Sequence, residues 1–197
     1  MNWNILDMYH GDNNDKVPNF AALKEQGCQG IIHKCTQGSY YKDPLFDQRI
    51  ANAEAADLLV AAYHFGDASS VAEQIENFQS HSKGLFGFLD FERNPGSTMT
   101  PAMARTFMAS MPVPAIYGSD MVRENAKALA MSFTNGLFPW CWLAEYGPHE
   151  VYAAPWTEKS TIGWQFSESG TVASFGGHVD LNIFPDLTKW GQPCKEI

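Results

Sequence analysis

Short apolar runs recur along the chain at fairly even intervals, and polar, Gly- or Pro-containing segments separate them. Runs of this length, rich in β-branched and aromatic residues, are typical of buried strands. We predict eight strands, at residues 4–9, 30–35, 58–65, 85–91, 115–118, 139–146, 162–166 and 178–182.

The stretches between the first five strands carry helical signals. Ser70 and Glu73 have the spacing of a capping box, and Thr100 followed by Pro101 is typical of a helix start. We predict five helices, at residues 18–27, 46–56, 69–81, 100–111 and 120–132. After Trp140 the helical pattern ends, and Gly- and Pro-containing loops join the last three strands.

Alternating strands and helices followed by bare strands predict an α/β fold. We expect a barrel-like parallel sheet with five βα units and three closing strands. No linker, internal repeat or low-complexity segment interrupts residues 1–197, so we expect a single domain.

Acidic residues stand where several of these strands end. Asp7 ends the first, Asp90 and Glu92 end the fourth, and Asp180 lies in the last. Residues two apart on a strand share a face, about 6.5 to 7 Å apart, so Asp90 and Glu92 should face one pocket while Phe91 faces the helices. The first and last strands become neighbours when a barrel closes. We therefore expect all four carboxylates at one cavity mouth, at the carboxyl end of the barrel.

Three chemistries use such a cluster. Mg²⁺ and Ca²⁺ sites usually also recruit loop carbonyls and DxD runs, which are missing here, and zinc would need His64 or His178 beside the acids. Glycoside hydrolysis needs one protonated carboxylic acid beside ionised ones, which crowded carboxylates provide. Aromatic side chains that could stack on sugar rings accompany the acids, and we predict substrate contacts from Tyr63, Tyr117, Trp142, Tyr146 and Trp164.

Charge and composition argue against several classes of binding partner. Thirteen Lys and Arg against 22 Asp and Glu give a net charge of −9, which argues against nucleic acid and anionic lipid. No apolar run approaches the roughly 18 to 20 residues of a membrane span, and no signal-peptide pattern begins the chain. The scattered positions of the four cysteines favour free thiols, although one disulfide between two of them stays an open alternative.

The motifs, taken in order, resemble those of the glycoside hydrolase family 25 lysozymes, which are bacterial and phage N-acetylmuramidases. The resemblance rests on "ILDMYHGD", "GIIHKCTQGSYYKDPLF", "LLVAAYHF", "FLDFE", "AIYGS", "WCWLAEYG", "GWQFSESG" and "HVDLNIF", and it covers nearly the whole chain. It implies a flattened TIM-like (β/α)5β3 barrel over residues 1–197. It also implies Glu92 as general acid, Asp90 as the partner of the substrate acetamido group, Asp7 and Asp180 as further site acids, and Lys34 and Asn182 as substrate contacts.

The expected activity is hydrolysis of the β-1,4 bond between N-acetylmuramic acid and N-acetylglucosamine in bacterial peptidoglycan, by a monomer needing no metal or organic cofactor. We expect synthesis in the cytoplasm with action on the wall after release or export, or secretion with the signal already removed. Two alternatives stay open at this point. One is a glycosidase of the same fold acting on another N-acetylated glycan such as chitin, and the other is a catalytically silent carbohydrate-binding barrel.

Overall fold

Eight strands close into a barrel in the computed structural model, which describes residues 3–13 and 15–195. The nine strands of the sheet are β1 (Ile5–Met8), β2 (Gly30–Gln37), β3 (Tyr41–Lys42), β4 (Leu59–Phe65), β5 (Phe86–Asp90), β6 (Ala115–Gly118), β7 (Trp140–Ala144), β8 (Thr161–Thr171) and β9 (His178–Ile183). The helices are α1 (Phe20–Glu25), α2 (Phe46–Ala55), α3 (Val71–His81), α4 (Pro101–Ala109), α5 (Asp120–Glu124) and α6 (Ala126–Leu129), with a 3₁₀ turn at Leu187–Lys189.

The strand order confirms the predicted α/β barrel. The strands form a ring in the order β1-β9-β8-β7-β6-β5-β4-β2, in which β1 pairs with both β2 and β9, and β3 adds a short hairpin to β2 that the sequence did not predict. The sheet is not wholly parallel, because β9 runs antiparallel to both β1 and β8. The loop between β8 and β9, residues 172–177, explains this difference: a parallel connection needs a dozen or more residues.

Alternation along the strands separates two cores. Ile5, Phe88 and Trp142 point into the barrel, whereas Leu89 and Phe91 pack against the helices outside. The strand period therefore carries Asp7, two residues after Ile5, and Asp90, two after Phe88, to the inside as well. The barrel interior is apolar at its base and acidic at its carboxyl end.

Several predicted helix ends need correction. Thr100 caps α4 as predicted, because its hydroxyl accepts from the Met103 N–H at 3.3 Å. Ser70 stands at the N-cap of α3 without a side-chain capping bond. The Gln74 amide holds this turn instead, by donating to two carbonyls that precede the helix. The helix predicted at residues 120–132 breaks at Asn125, whose amide bonds back to the Met121 carbonyl and competes with the helical ladder.

Two further expectations concern the chain as a whole. All four cysteines are buried, and no disulfide joins any two of them, which confirms the favoured prediction. Across residues 3–13 and 15–195, no helix is both long and apolar enough to cross a membrane.

Candidate active site

All four predicted acids meet at the carboxyl end of the barrel. They line a cavity of about 230 Å³ together with tyrosines, a tryptophan and one lysine. The lining consists of Asp7, Tyr9, Lys34, Tyr63, Phe65, Asp90, Glu92, Tyr117, Trp142 and Asp180.

Asp7 and Asp180 face each other across the seam where the barrel closes. They are directly paired in the β1–β9 register. The Asn182 amide donates to Asp7 Oδ2 at 2.7 Å, and the Gln165 amide donates to Asp7 at 3.1 Å and to Asp180 at 3.3 Å. These two acids are therefore held by neutral amides.

Burial dominates the electrostatics of this pair. It raises the pKa of Asp7 to about 7 against the opposing hydrogen bonds from Asn182 and Gln165. Burial, followed by the charge of Asp7, raises the pKa of Asp180 to about 9. Near neutral pH the two carboxyls consequently retain at least one proton between them.

Asp90 and Glu92 form the second pair, on the same face at the end of β5. Asp90 is 6 % exposed, and its Oδ1 has no hydrogen-bond partner among the residues that the structure describes. Burial and then the charge of Glu92 raise the Asp90 pKa well above its ordinary value. Burial and then Glu168 raise the Glu92 pKa. This pair also favours a retained proton, and both of its carboxyls line the cavity.

Aromatic side chains line the cavity and fix the amides. The rings of Tyr117 and Trp142 lie 4.2 Å apart between centroids, beside Asp90 in the strand register. The hydroxyls of Tyr117 and Tyr146 both donate to Gln165 Oε1, at 2.9 and 3.1 Å. Because its oxygen accepts two phenols, the NH₂ group of Gln165 must point at Asp7 and Asp180.

The remaining predicted substrate contacts divide into two groups. Tyr63 and Lys34 are half-buried and line the cavity. The prediction that Trp164 contacts substrate needs correction. Strand alternation turns Gln165 inward and its neighbours outward, so Trp164 lies on the outer face of the barrel. Its side chain is only 5 % exposed there, and its indole N–H donates to the Glu145 carbonyl. Asn182 is fully buried, with its amide occupied by Asp7 and its oxygen by the Trp142 indole, so it positions these groups and does not reach the cavity.

Sequence reasoning missed three residues around this site. Gln165 could have been found as the single polar position inside "GWQF", two residues after a glycine on the inward face. Glu168 lies on the exposed extension of β8, which the sequence predicted to end at Phe166. Arg49, fully buried in α2, has no local signal: it donates to the carbonyls of Tyr9, Asp12 and Lys16 at 2.6 to 2.8 Å and so holds the loop that follows β1.

The zinc candidates lie away from the acids. His64 stacks on Phe107 outside the barrel, with ring centroids 4.6 Å apart, and His178 bonds the Ser169 carbonyl at the β8–β9 hairpin. Over the described ranges, 3–13 and 15–195, no three His, Cys, Asp or Glu side chains are arranged to hold a metal ion.

A closed β/α barrel whose carboxyl end carries paired carboxylates and aromatic rings is typical of the barrel glycoside hydrolases. The chain matches the family described as Glycosyl hydrolases family 25 over residues 6–175. It belongs to that family.

Known relatives agree with this assignment. The chain is 30 % identical over 185 residues to Lysozyme M1 of Streptomyces globisporus, covering 84 % of this chain and 63 % of the relative. It is 24 % identical over 195 residues to the Autolytic lysozyme of Clostridium acetobutylicum, covering 92 % and 55 %. The chain thus spans less than two thirds of the length of these curated relatives. A bacterial lysozyme structure from Streptomyces coelicolor superimposes with a TM-score of 0.75 at 26 % identity, covering 92 % of this chain and 91 % of the other.

Proposed function

We propose that this barrel is the catalytic domain of a muramidase, which hydrolyses the β-1,4 bond between N-acetylmuramic acid and N-acetylglucosamine in bacterial peptidoglycan. Family membership and the lysozyme names of its relatives support the reaction class. The observation that carries the mechanism is that Asp90, the last residue of β5, and Glu92, two residues beyond it, line the same cavity.

Glu92 is the proton donor in this proposal. It is the more exposed acid of its pair, and its raised pKa keeps a proton available for the glycosidic oxygen of the leaving sugar. Asp90 lies deeper, and because it lines the same cavity as Glu92, its carboxyl is the group that receives the N–H of the substrate's 2-acetamido group in this proposal. The acetamido oxygen then attacks the anomeric carbon, and water opens the cyclic intermediate while Glu92 accepts a proton.

The geometry disfavours Asp90 as a nucleophile. Retaining glycosidases with a protein nucleophile place two carboxyls about 5 to 5.5 Å apart on opposite sides of the scissile bond. Asp90 and Glu92 are two residues apart at the end of β5, so both approach the bond from the same side of the cavity. Asp7 and Asp180, across the cavity, are the rival nucleophiles.

The walls supply the remaining contacts in this proposal. Tyr63, Tyr117, Trp142 and Tyr146 offer ring surfaces and hydroxyls to the sugars, and Lys34 offers an ammonium group. Asn182 and Gln165 act indirectly, by holding Asp7 and Asp180. Action on the bacterial cell wall follows from this substrate.

Digestion of purified peptidoglycan tests the reaction. After borohydride reduction, mass spectrometry should find the new reducing ends on muramic acid. New ends on glucosamine would contradict the muramidase proposal, and no cleavage of any N-acetylated glycan would favour a silent binding barrel.

Asp90→Asn tests the mechanism. Turnover should fall severely, a thiazoline mimic of the cyclic intermediate should inhibit the parent enzyme, and substrates without the acetamido group should not be cleaved. Asp57→Asn is the matched control, because Asp57 is a fully exposed acid away from the cavity. A fluorosugar label found on Asp7 or Asp180 would replace the substrate-assisted account with a covalent one.

A further inference from the structure

A second cavity, of about 410 Å³, adjoins the acid-lined one and shares two of its walls, Tyr9 and Lys34. His10, Gln37, Tyr40 and Tyr41 are further walls. We propose that this second cavity binds a carboxylate-bearing branch of the substrate, and that Lys34 receives the carboxylate. The inference rests on the proposed function, since the lactyl group of muramic acid and the peptide attached to it are the branches that peptidoglycan carries.

Lys34 has unused donors at the junction of the two cavities. Its Nζ donates to Gln37 Oε1 at 2.6 Å and lies 4.9 Å from the centre of the Phe65 ring. An ammonium group carries three N–H donors, so two are left after the bond to Gln37. Charge-assisted bonds from an ammonium to a carboxylate are among the stronger hydrogen bonds in proteins.

The negative charge around the cavities means that an anionic branch of the substrate needs a cation such as Lys34 in order to bind. The chain has a net charge of −9, and four carboxyls line the neighbouring cavity. A substrate carboxylate would be repelled there unless a cation met it. Lys34 is the only basic side chain that lines the acid cavity in the described part of the chain.

The second cavity is built on a fixed frame. Asp43 accepts from both the backbone N–H and the imidazole Nδ1 of His10, at 2.9 and 3.0 Å. Asn77 donates to the carbonyls of Gly38 and Tyr41, which hold the turn that carries Tyr40. Preorganised walls of this kind reduce the entropic cost of ordering a flexible branch.

The rim is suited to a peptide. Tyr40 is 88 % exposed, a large apolar surface that nothing in the described chain covers. Beside it, the Gln37 amide and the Asp67 carboxylate provide further polar groups, and the Asp67 side chain accepts from Ser69 on one oxygen. An amide-linked chain with carboxylates can use the ring, the polar groups and the ammonium together.

The experiment compares kcat/KM for four soluble glycan fragments with the same sugar backbone. The first pair carries the lactyl group as a free carboxylate or as its methyl amide. The second pair carries the peptide with its carboxylates free or amidated. The parent enzyme should prefer the charged member of one pair by about tenfold or more. Preference in the first pair identifies the lactyl carboxylate as the group bound, and preference in the second identifies the peptide.

Two variants test the residues. Lys34→Met should bring the preference close to one, whereas Lys42→Met, which removes a nearby charge paired with Asp47, should keep it. Tyr40→Ala alters an exposed side chain that the fold does not need, and it should lower kcat/KM several-fold more on peptide-bearing fragments than on stripped ones.

Three outcomes would overturn the inference while leaving the muramidase proposal intact. They are cleavage of all four fragments without preference, an equal loss on all four in Lys34→Met, and an equal loss on stripped and peptide-bearing fragments in Tyr40→Ala. The last of these would assign the cavity to a sugar ring. Failure of the parent enzyme to cleave any fragment would instead contradict the proposed function.

Discussion

Replacing Asp7 by Asn should abolish most activity and at the same time stabilise the protein at neutral pH. Burial raises the Asp7 pKa from an ordinary 3.8 to about 7, so the folded state holds this proton over a range where the unfolded chain has lost it. In that range the unfolding free energy falls as pH rises, because the native state binds more protons. At about 1.4 kcal/mol per pKa unit, the loss between about pH 4 and pH 7 reaches up to about 4 kcal/mol.

An asparagine at this position does not ionise, and its oxygen still accepts from Asn182 and Gln165. The gap in stability between Asp7→Asn and the parent protein should therefore grow from pH 4 to pH 7. For a chain of this size, 4 kcal/mol corresponds to a Tm difference of roughly 8 to 16 °C. The growth of the gap is the readout, since any pH-independent effect of the amide is the same at every pH.

The assay is thermal unfolding of both proteins at half-unit steps from pH 4 to pH 8, followed by circular dichroism. Asp57→Asn serves as control, because Lys24 lowers the pKa of this exposed acid, and the gap between its curve and the parent curve should not grow over this range. Parallel curves for Asp7→Asn and the parent protein would refute the reasoning, since they would mean that Asp7 ionises normally in the folded state.

Other variants and conditions give further predictions. Glu92→Gln keeps the shape but loses the donated proton, so turnover should fall by about 10² to 10⁴ with the fold intact, and near-normal turnover would remove Glu92 from the mechanism. Glu168→Gln removes a charge that raises the Glu92 pKa, so the alkaline limb of the pH–rate profile should move to lower pH; an unmoved limb would show that Glu168 does not act on the donor. Arg49→Met leaves three or more loop carbonyls without their buried donor, so the free energy of unfolding, measured with denaturant, should fall by about 3 kcal/mol or more, and KM should rise. A fall below about 1 kcal/mol would contradict the role of Arg49 in holding this loop. EDTA should leave turnover unchanged, and a loss restored by a divalent ion would indicate a metal site among the acids.

The parts of the fold that depend on local pattern could be predicted from the sequence. Strand alternation placed Asp90 beside Glu92 and Phe91 among the helices, and barrel closure placed Asp7 beside Asp180. These steps succeed because strand period and closure follow from the backbone alone.

The parts that depend on tertiary partners could not be predicted. Trp164 and Trp142 both follow alternating patterns, and only the register of β8 shows that the first faces outward and the second inward. Gln165 gains its role from two phenols and two acids that come from other strands. Arg49 is distant in sequence from the loop that it holds, and no local signal identifies such a partner.

The antiparallel pairing of β9 with β1 also has a kinetic consequence. The hydrogen bond from Asn182 to Asp7 joins residues 175 positions apart. The β1–β9 pairing, which places Asp7 beside Asp180, therefore forms only when the two ends of the chain have come together. Contacts between residues so far apart in sequence tend to form late in folding, because the chain loses loop-closure entropy before these contacts stabilise it. A refolding intermediate with β4 to β7 in place would already hold Asp90 and Glu92 but lack the opposite wall. Hydrolysis should therefore return with the final refolding phase, later than the far-ultraviolet signal, which makes enzymatic turnover itself a measure of barrel closure.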